Sequence, residues 1–271
     1  MDWYKKGVNW HLEADVLAVH LQNFETSVRQ DGFGLFTLVL LTWILVHVLL
    51  KKKLAHRLIG KRPTARDIWR EIGFSASTVL VLSAMVVAMQ AMVESGHAEI
   101  YPQPLGHGLA WLVISFPLML LWQDFFFYCT HRLLHTRWMF KHVHFVHHRS
   151  RNPSPWAAYA FHPIEALMTG MTLLVAIAAV PLNEAVLTAF LVHGVVRSAL
   201  GHAAFETMPA GFVRHPILRL LTTTTHHHLH HETGRGNYGL WFTWWDQWCG
   251  TERKDYLSRF DESTREPKAF G

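Results

Sequence analysis

The sequence has few cysteines and no cluster of them. Its 271 residues include only Cys129 and Cys249, which stand in no CxxC motif. A disulfide framework and a zinc or iron–sulfur site built on cysteine are therefore excluded. A CxxCH haem-attachment motif is also absent.

Charged residues are also scarce. Only 17% of the residues are charged, whereas 50% are hydrophobic, which is the opposite of a disordered chain. The formal net charge is +5, but many basic residues lie in one loop between apolar segments, so no nucleic-acid partner is expected. Twelve Trp and 17 Phe are many for a soluble chain of this size and suit a membrane interface.

Three long apolar runs predict membrane-spanning helices. Residues 33–50 and 72–93 contain no formal charge, and residues 109–129 are apolar until Gln123 and Asp124. A bilayer core about 30 Å thick needs roughly 20 apolar residues per helix, so each run is long enough to cross. The alternative, three buried helices of a soluble protein, would leave too little polar surface in the first half of the chain.

The next apolar region is interrupted. Residues 166–180 and 185–196 are separated by Pro181-Leu-Asn-Glu, and each half is too short to cross a bilayer alone. The two halves form either a re-entrant hairpin or a broken pair of tilted helices, and the hairpin is the favoured interpretation. The predicted fold is an all-α integral membrane protein with three to four transmembrane helices and a re-entrant hairpin.

The distribution of charge predicts the orientation. The loop at residues 51–70 carries eight Lys or Arg and one acid, whereas residues 94–108 carry two acids and no Lys or Arg. The positive-inside rule places the first loop in the cytoplasm and the second outside. Fifteen of the 21 His lie between His131 and His231, and this orientation puts them on the cytoplasmic face.

The chain is thus expected to have four regions. They are a surface or extracytoplasmic segment at 1–32, the three spans with their basic loop at 33–130, a His-rich region with the membrane hairpin at 131–252, and a polar tail at 253–271.

Three histidine motifs predict a metal site. His131 and His135 form an HxxxH motif, and two HxxHH motifs supply six more histidines: His144, His147, His148, His227, His230 and His231. Residues three and four apart share one face of a helix, so each motif can present two or three imidazoles to one side. One metal takes four to six ligands, so eight imidazoles suggest two metals, and the ligand type is compatible with iron, zinc, copper or nickel. The alternatives are exposed or hydrogen-bonded histidines that hold no metal, or a patch that binds metal adventitiously.

Several stretches follow one another in a characteristic order. They are Tyr128-Cys-Thr-His131-Arg-Leu-Leu-His135, Phe140-Lys-His-Val-His144-Phe-Val-His147-His148, Ala160-Phe-His162-Pro-Ile-Glu165, His226-His227-His-Leu-His230-His231, Asn237-Tyr-Gly and Trp245-Asp246-Gln-Trp-Cys-Gly250-Thr251. This set, over about residues 109–252, resembles the fatty acid hydroxylase/sterol desaturase superfamily. The resemblance implies a helical membrane domain under a cytosolic, His-rich helical cap that holds two non-haem iron ions, which zinc can replace in recombinant material.

The resemblance also implies further ligands between the second and third motifs. His202 is the first candidate, and His193 and His162 are two others. Some members carry another His where this chain has Ser198, so the ligand count stays open. Asp124, Glu165 and Asp246 are candidates for hydrogen bonds to ligand histidines, each of which would fix the tautomer of its ring. No catalytic residue beyond the metal ligands is expected.

The function that the resemblance implies is O₂-dependent hydroxylation or desaturation of a lipid, of the sterol, fatty acid or sphingolipid class. Its electrons would come from a ferredoxin or a cytochrome b5-type protein with its reductase. Two alternatives are a membrane metal transporter or storage protein that uses the His cluster, and a haem-binding membrane cytochrome. The transporter would favour ionisable residues within the spans, and the cytochrome would need paired histidines at membrane depth.

Overall fold

The computed structural model describes residues 10–266, whose regular structure is almost entirely helical. Ten α-helices lie in this part of the chain: α1 (Trp10–Ile44), α2 (Ala65–Glu94), α3 (Gly108–Leu134), α4 (Arg137–Met139), α5 (Phe145–His148), α6 (Pro163–Ala179), α7 (Glu184–Gly201), α8 (Thr224–Thr233), α9 (Trp244–Trp248) and α10 (Tyr256–Ser263). Two short strands, β1 (Ile100–Tyr101) and β2 (Leu182–Asn183), pair in parallel. The predicted all-α fold class is confirmed.

Among the described residues, four helices are long and apolar enough to cross a membrane. The first is the segment Leu17–Leu49, which consists of most of α1 and the π-helical turn that follows it. The other three are α2, α3 and α7. Helix α6 is apolar but has only 17 residues. The chain is an integral membrane protein, as its composition predicts.

Local sequence signals fix where several helices begin. Thr64 caps α2 by accepting a hydrogen bond from the backbone N–H of Asp67, whose side chain in turn accepts from the backbone of Thr64. This reciprocal arrangement satisfies two backbone donors at the helix start. Pro163 opens α6, and the Asn183 side chain accepts from the backbone N–H of Ala185 to start α7.

Five long helices form a closed ring. Helix α1 packs against α2 and α7, α2 packs against α6, and α3 packs against both α6 and α7. The order around the ring is therefore α1, α2, α6, α3, α7, which differs from the order along the chain. This arrangement encloses a space between α2, α3, α6 and α7.

Helices α6 and α7 form the interrupted region expected at residues 166–196, and they fit the broken helix pair better than the favoured re-entrant hairpin. Their connection lies beside the α2–α3 loop, where the backbone N–H of Leu182 donates to the carbonyl of Glu99 at 2.9 Å. That loop is at the opposite end of the bundle from the histidine motifs, so the pair runs the full length of the ring. Within α7, the guanidinium of Arg197 donates to the carbonyl of Thr222 at 3.0 Å, which pairs this charged side chain with the segment before α8.

The amino-terminal region also differs from its prediction. Residues 10–32 were expected to form a separate segment, but they continue into residues 33–44 as the single helix α1. Polar side chains in this stretch interrupt the hydropathy pattern, whereas the backbone hydrogen bonds of the helix do not depend on hydropathy. Residues 1–9 lie outside the described residues.

Residues 50–64, 135–162 and 202–266 form a cap at the histidine end of the ring. The backbone of the basic loop pairs with the segment after α7, as the Ile59 N–H donates to the carbonyl of Ala204 at 2.8 Å. Helix α10 packs its buried Tyr256 and Phe260 against the cap, so the expected polar tail is partly a packed helix. Residues 267–271 lie outside the described part.

Candidate metal centre

The structure brings all nine predicted ligands into two adjacent groups. The first contains His131, His135, His144, His148 and His230. The second contains His147, His202, His227 and His231. Within each group, one ring nitrogen from every histidine lies within 4.8 Å of the others.

The five-histidine group is assembled from three parts of the chain. His131 and His135 lie at the end of α3, His144 and His148 lie one turn apart in the next helical segment, and His230 comes from α8. The Nε2 atoms of His131 and His144 are 3.1 Å apart. All five side chains except that of His135, which is partly exposed, are buried.

The four-histidine group lies directly beside the first. The Nε2 atoms of His202 and His227 are 2.9 Å apart, and those of His227 and His231 are 3.1 Å apart. The rings of His148 and His231, one from each group, stack with centroids separated by 4.9 Å. The two groups therefore form neighbouring sites.

The second nitrogen of several rings donates to a fixed oxygen outside the group. His131 Nδ1 lies 2.8 Å from the carbonyl oxygen of Tyr238, and His202 Nδ1 lies 2.7 Å from that of Ser198. His230 Nδ1 is likewise 2.8 Å from the carbonyl oxygen of Gly236. Since a carbonyl only accepts, the ring hydrogen sits on Nδ1, and Nε2 presents a lone pair to the interior.

These lone pairs fit a bound cation. His131 Nε2 and His144 Nε2 would repel each other at 3.1 Å unless a positive charge lay between them. Two nitrogens bound to one ion at about 2.0–2.1 Å and at right angles are about 3 Å apart. Three further ring nitrogens of the five-histidine group are buried with no hydrogen-bond partner, namely the Nε2 atoms of His135, His148 and His230. Unpaired buried nitrogens converging on one place are what metal ligands require.

Burial keeps the ligands in their neutral form. Desolvation lowers the pKa of His148 to about 3 and that of His202 to about 4. Desolvation, followed by repulsion from neighbouring histidines, holds five other pKa values well below the usual value: those of His144, His147, His227, His230 and His231. Neutral imidazole is the form that binds metal.

The three predicted acids have different roles. Glu165 lies 2.8 Å from His144 Nδ1, which is the contact that was expected. Asp246 accepts a hydrogen bond from the backbone N–H of Tyr238, and the carbonyl of Tyr238 in turn accepts a hydrogen bond from His131. Asp246 therefore supports the centre only through this turn.

The predicted hydrogen bond between Asp124 and a ligand histidine is absent from the structure of the described residues, because the carboxylate has other partners. It accepts from the backbone N–H groups of Trp241 at 2.7 Å and Phe242 at 3.3 Å, and from the indole N–H of Trp245 at 2.7 Å. It therefore ties the end of α3 to the segment before α9.

The two remaining histidine candidates stand outside both groups. His162 accepts from the backbone N–H of Ile164 at 3.2 Å and so caps α6. His193 packs edge-on against Trp241 and Phe116, with ring centroids at 4.7 and 6.1 Å. Neither ring nitrogen reaches a group, so the structure does not support either residue as a ligand.

Tyr238 was not singled out by the sequence. Its ring lies 4.9 Å from the ring of His135 and 5.4 Å from that of His230. The surrounding residues 234–239 match the spacing of a GxGxxG nucleotide motif, but they follow a helix instead of a strand. Their carbonyl groups accept from His131 and His230, so this turn supports the candidate centre.

A cavity inside the helix ring ends at the two groups. Five histidines line its inner end: His131, His144, His147, His202 and His227. Most of the remaining wall is apolar and includes Leu82, Phe127, Leu173, Phe190, Leu191 and Trp241. Leu191 is also exposed on the outer surface of the bundle, so the cavity wall reaches the side that faces lipid.

Comparison with known proteins places this region in a family context. The fatty acid hydroxylase family model matches residues 116–251. Delta(7)-sterol 5(6)-desaturase ERG3B of Gibberella zeae is 29% identical over 82% of this chain and 67% of its own length. Human lathosterol oxidase is 29% identical over 68% of this chain and 61% of its own length. Very-long-chain aldehyde decarbonylase GL1-11 of Oryza sativa subsp. indica is 34% identical over 56% of this chain.

The chain thus spans about three fifths to two thirds of the length of these sterol-modifying relatives. No solved structure matches the chain.

Proposed function

Because the chain belongs to the fatty acid hydroxylase family, we propose that it is a membrane-bound diiron oxygenase that hydroxylates or desaturates a lipid. The observation that carries this proposal is the meeting of two adjacent histidine groups with the inner end of an apolar cavity. An oxidising centre at this position can reach a hydrocarbon that enters from the bilayer.

The nine histidines would hold two iron ions, one in each group. When bound, the iron supplies the O₂-dependent oxidising power that unactivated C–H bonds require. The protein's own contribution is geometric. Outer hydrogen bonds from His131, His202 and His230 fix their rings, and the apolar wall excludes water from the reacting carbon.

The substrate class follows from the cavity and the relatives. An apolar cavity in the helix ring suits a sterol, a fatty acid or a sphingolipid chain. Two of the relatives are named as sterol-modifying enzymes, which favours the sterol class. The acids and histidines around the centre do not distinguish hydroxylation from desaturation, because both begin with removal of a hydrogen.

The reaction would need electrons from a separate protein, such as a ferredoxin or a cytochrome b5-type protein with its reductase. The basic loop at residues 51–70 lies at the histidine end of the bundle and suits either an acidic carrier or anionic lipid headgroups. This loop also supports a cytoplasmic location for the histidine cluster.

Comparative lipidomics of a host with and without the gene tests the function. We expect one lipid to gain an oxygen or lose two hydrogens when the wild-type chain is present. His147→Ala removes a candidate ligand from the four-histidine group and should abolish the product. His142→Ala is the matched control, because His142 lies in the same segment but is exposed, with Nδ1 bonded to the carbonyl of Trp138.

Full activity of the His147→Ala variant would contradict the diiron proposal. Metal flux into vesicles that contain the protein, with no change in lipids, would favour the metal-transporter alternative instead.

A further inference from the structure

Helix α1 carries a polar stripe on an exposed face. Gln22, Glu25, Thr26 and Arg29 follow the i, i+3, i+4, i+7 spacing that places residues on one side of a helix. Glu25 and Arg29 pair with each other along the helix, yet their side chains are 63% and 72% exposed. No other described element covers this stripe.

The stripe lies at membrane depth. Gly32 of α1 packs so closely on α2 that an added Cβ would be 3.0 Å from Val79. The two helices run in opposite directions, so Arg29 and Glu25 lie beside about residues 82 and 86 of α2. Those positions are well inside the uncharged run at 72–93.

Exposed charges at this depth need a partner other than lipid. Facing hydrocarbon, a charged side chain is costly, and pairing within one helix offsets only part of that cost. Neighbouring helices expose apolar residues to lipid, such as Leu80 on α2 and Ile114 on α3. The polar face of α1 is therefore exceptional among the lipid-facing surfaces of the described residues.

We propose that this stripe is the surface on which a second copy of the chain packs. Two copies in one membrane share the same orientation, so a two-fold axis along the membrane normal places the same residues of both α1 helices at the same depth. Glu25 then lies level with the Glu25 of the other copy, and the Arg29 of that copy is one helical turn away along the axis, within reach of its carboxylate.

A second copy fits the stripe better than an unrelated helix. Glu25 and Arg29 contribute equal and opposite charges, so the Arg29 of each copy can pair with the Glu25 of the other and the interface carries no net charge. Exposed apolar side chains flank it at Leu21 and Phe33 and would add contact area along the same helix. Helix α1 contributes no wall residue to the cavity, so such a dimer leaves the path to the histidine groups open.

Subunit counting of the full chain in lipid bilayers tests this interface. We expect the wild type to form dimers, and Glu25→Arg and Arg29→Glu each to weaken dimerisation by about tenfold or more, because all four charges at the interface then have the same sign. The double variant Glu25→Arg/Arg29→Glu should restore the dimer. Arg66→Glu reverses one charge in an exposed residue at the far end of α2 and should change nothing.

Cross-linking provides a second readout that leaves both charges in place. Thr26→Cys, in a background with Cys129→Ser and Cys249→Ser, should form a disulfide-linked dimer under mild oxidation. A wild type that stays monomeric at every density, a double variant no better than the single ones, or a failure of Thr26→Cys to cross-link would each overturn the proposal. Isolation of the chain in a stable complex with a different membrane protein at this stripe would do the same.

Discussion

At the residue scale, the two nitrogens of an imidazole ring have different roles in the candidate centre. One nitrogen points into the group, while the other is fixed by an oxygen such as the carbonyl of Tyr238 or Ser198. Fixing the outer nitrogen sets the tautomer and aims the ring before any ion binds. The second layer of contacts is therefore part of the site.

Glu165 gives this idea a direct test. Its carboxylate accepts from His144 Nδ1 at 2.8 Å and is buried, so it increases the basicity of a candidate ligand. Glu165→Gln keeps an oxygen acceptor but removes the charge, and we expect about tenfold weaker metal binding at the five-histidine group. Glu165→Ala should weaken it further. Competition with a chelator of known affinity measures the effect, and unchanged affinity in both variants would refute this role.

The sequence predicted the individual histidines better than their surroundings. Helical spacing alone placed eight of the nine grouped residues in three motifs, because residues three and four apart must share a face. The partners of Asp124 could not be predicted, since Trp241 and Trp245 are more than 100 residues away along the chain. Periodicity carries no information about which distant turn packs beside a helix.

At the element scale, the turn at residues 237–239 supports the centre through its backbone. Gly239 donates its N–H to Asp246 at 2.8 Å, and an added Cβ at this position would collide with the carbonyl oxygen of Phe242. Gly239→Ala should therefore shift the turn, move the Tyr238 carbonyl away from His131 and cost about 1–3 kcal/mol of stability.

Thermal unfolding of the purified protein, together with its metal content, measures the Gly239→Ala effect. Gly73→Ala is the matched control, because an added Cβ there meets nothing within 4 Å. It should stabilise α2 by about 0.5–1 kcal/mol. Equal behaviour of the two variants would show that the turn tolerates displacement.

The contact between α3 and the segment before α9 depends on Asp124. Replacing it with alanine leaves one buried and two half-buried donors without an acceptor, so we expect a loss of about 2–4 kcal/mol in the free energy of unfolding. Asp261→Ala removes an exposed pair with Arg214 and should cost less than about 1 kcal/mol. A chemical denaturation series compares the two, and equal losses would contradict the anchoring role of Asp124.

Helix boundaries were the least predictable elements. Hydropathy ended the first membrane segment at residue 33, yet α1 extends back to Trp10 through a polar stripe. The same measure ended the second half of the hairpin at residue 196, whereas α7 reaches Gly201, and its charged Arg197 donates to the carbonyl of Thr222 in the cap. The hydropathy pattern assumes that a membrane helix is surrounded by apolar groups. In α7 the contact of Arg197 with the cap replaces that environment, and in α1 a second chain could cover the polar stripe.

At the scale of the whole molecule, the fold delivers separate chain segments to one end of a helix ring. The parts of the cap that follow α3 and α7 both lie there, and their histidines meet at the end of the cavity between α2, α3, α6 and α7. The sequence indicated this common end through charge and the positions of the motifs. The ring order could not be read from the sequence, because α3 separates α6 from α7 although these two are consecutive in the chain.

The number of metal ions per chain tests the central claim most directly. Elemental analysis of purified protein loaded with iron should give two ions per wild-type chain, and one each for His148→Ala and His202→Ala, which affect different groups. A wild type that holds one ion or none after loading, or variants that still hold two, would contradict the assignment of nine histidines to two adjacent metal sites.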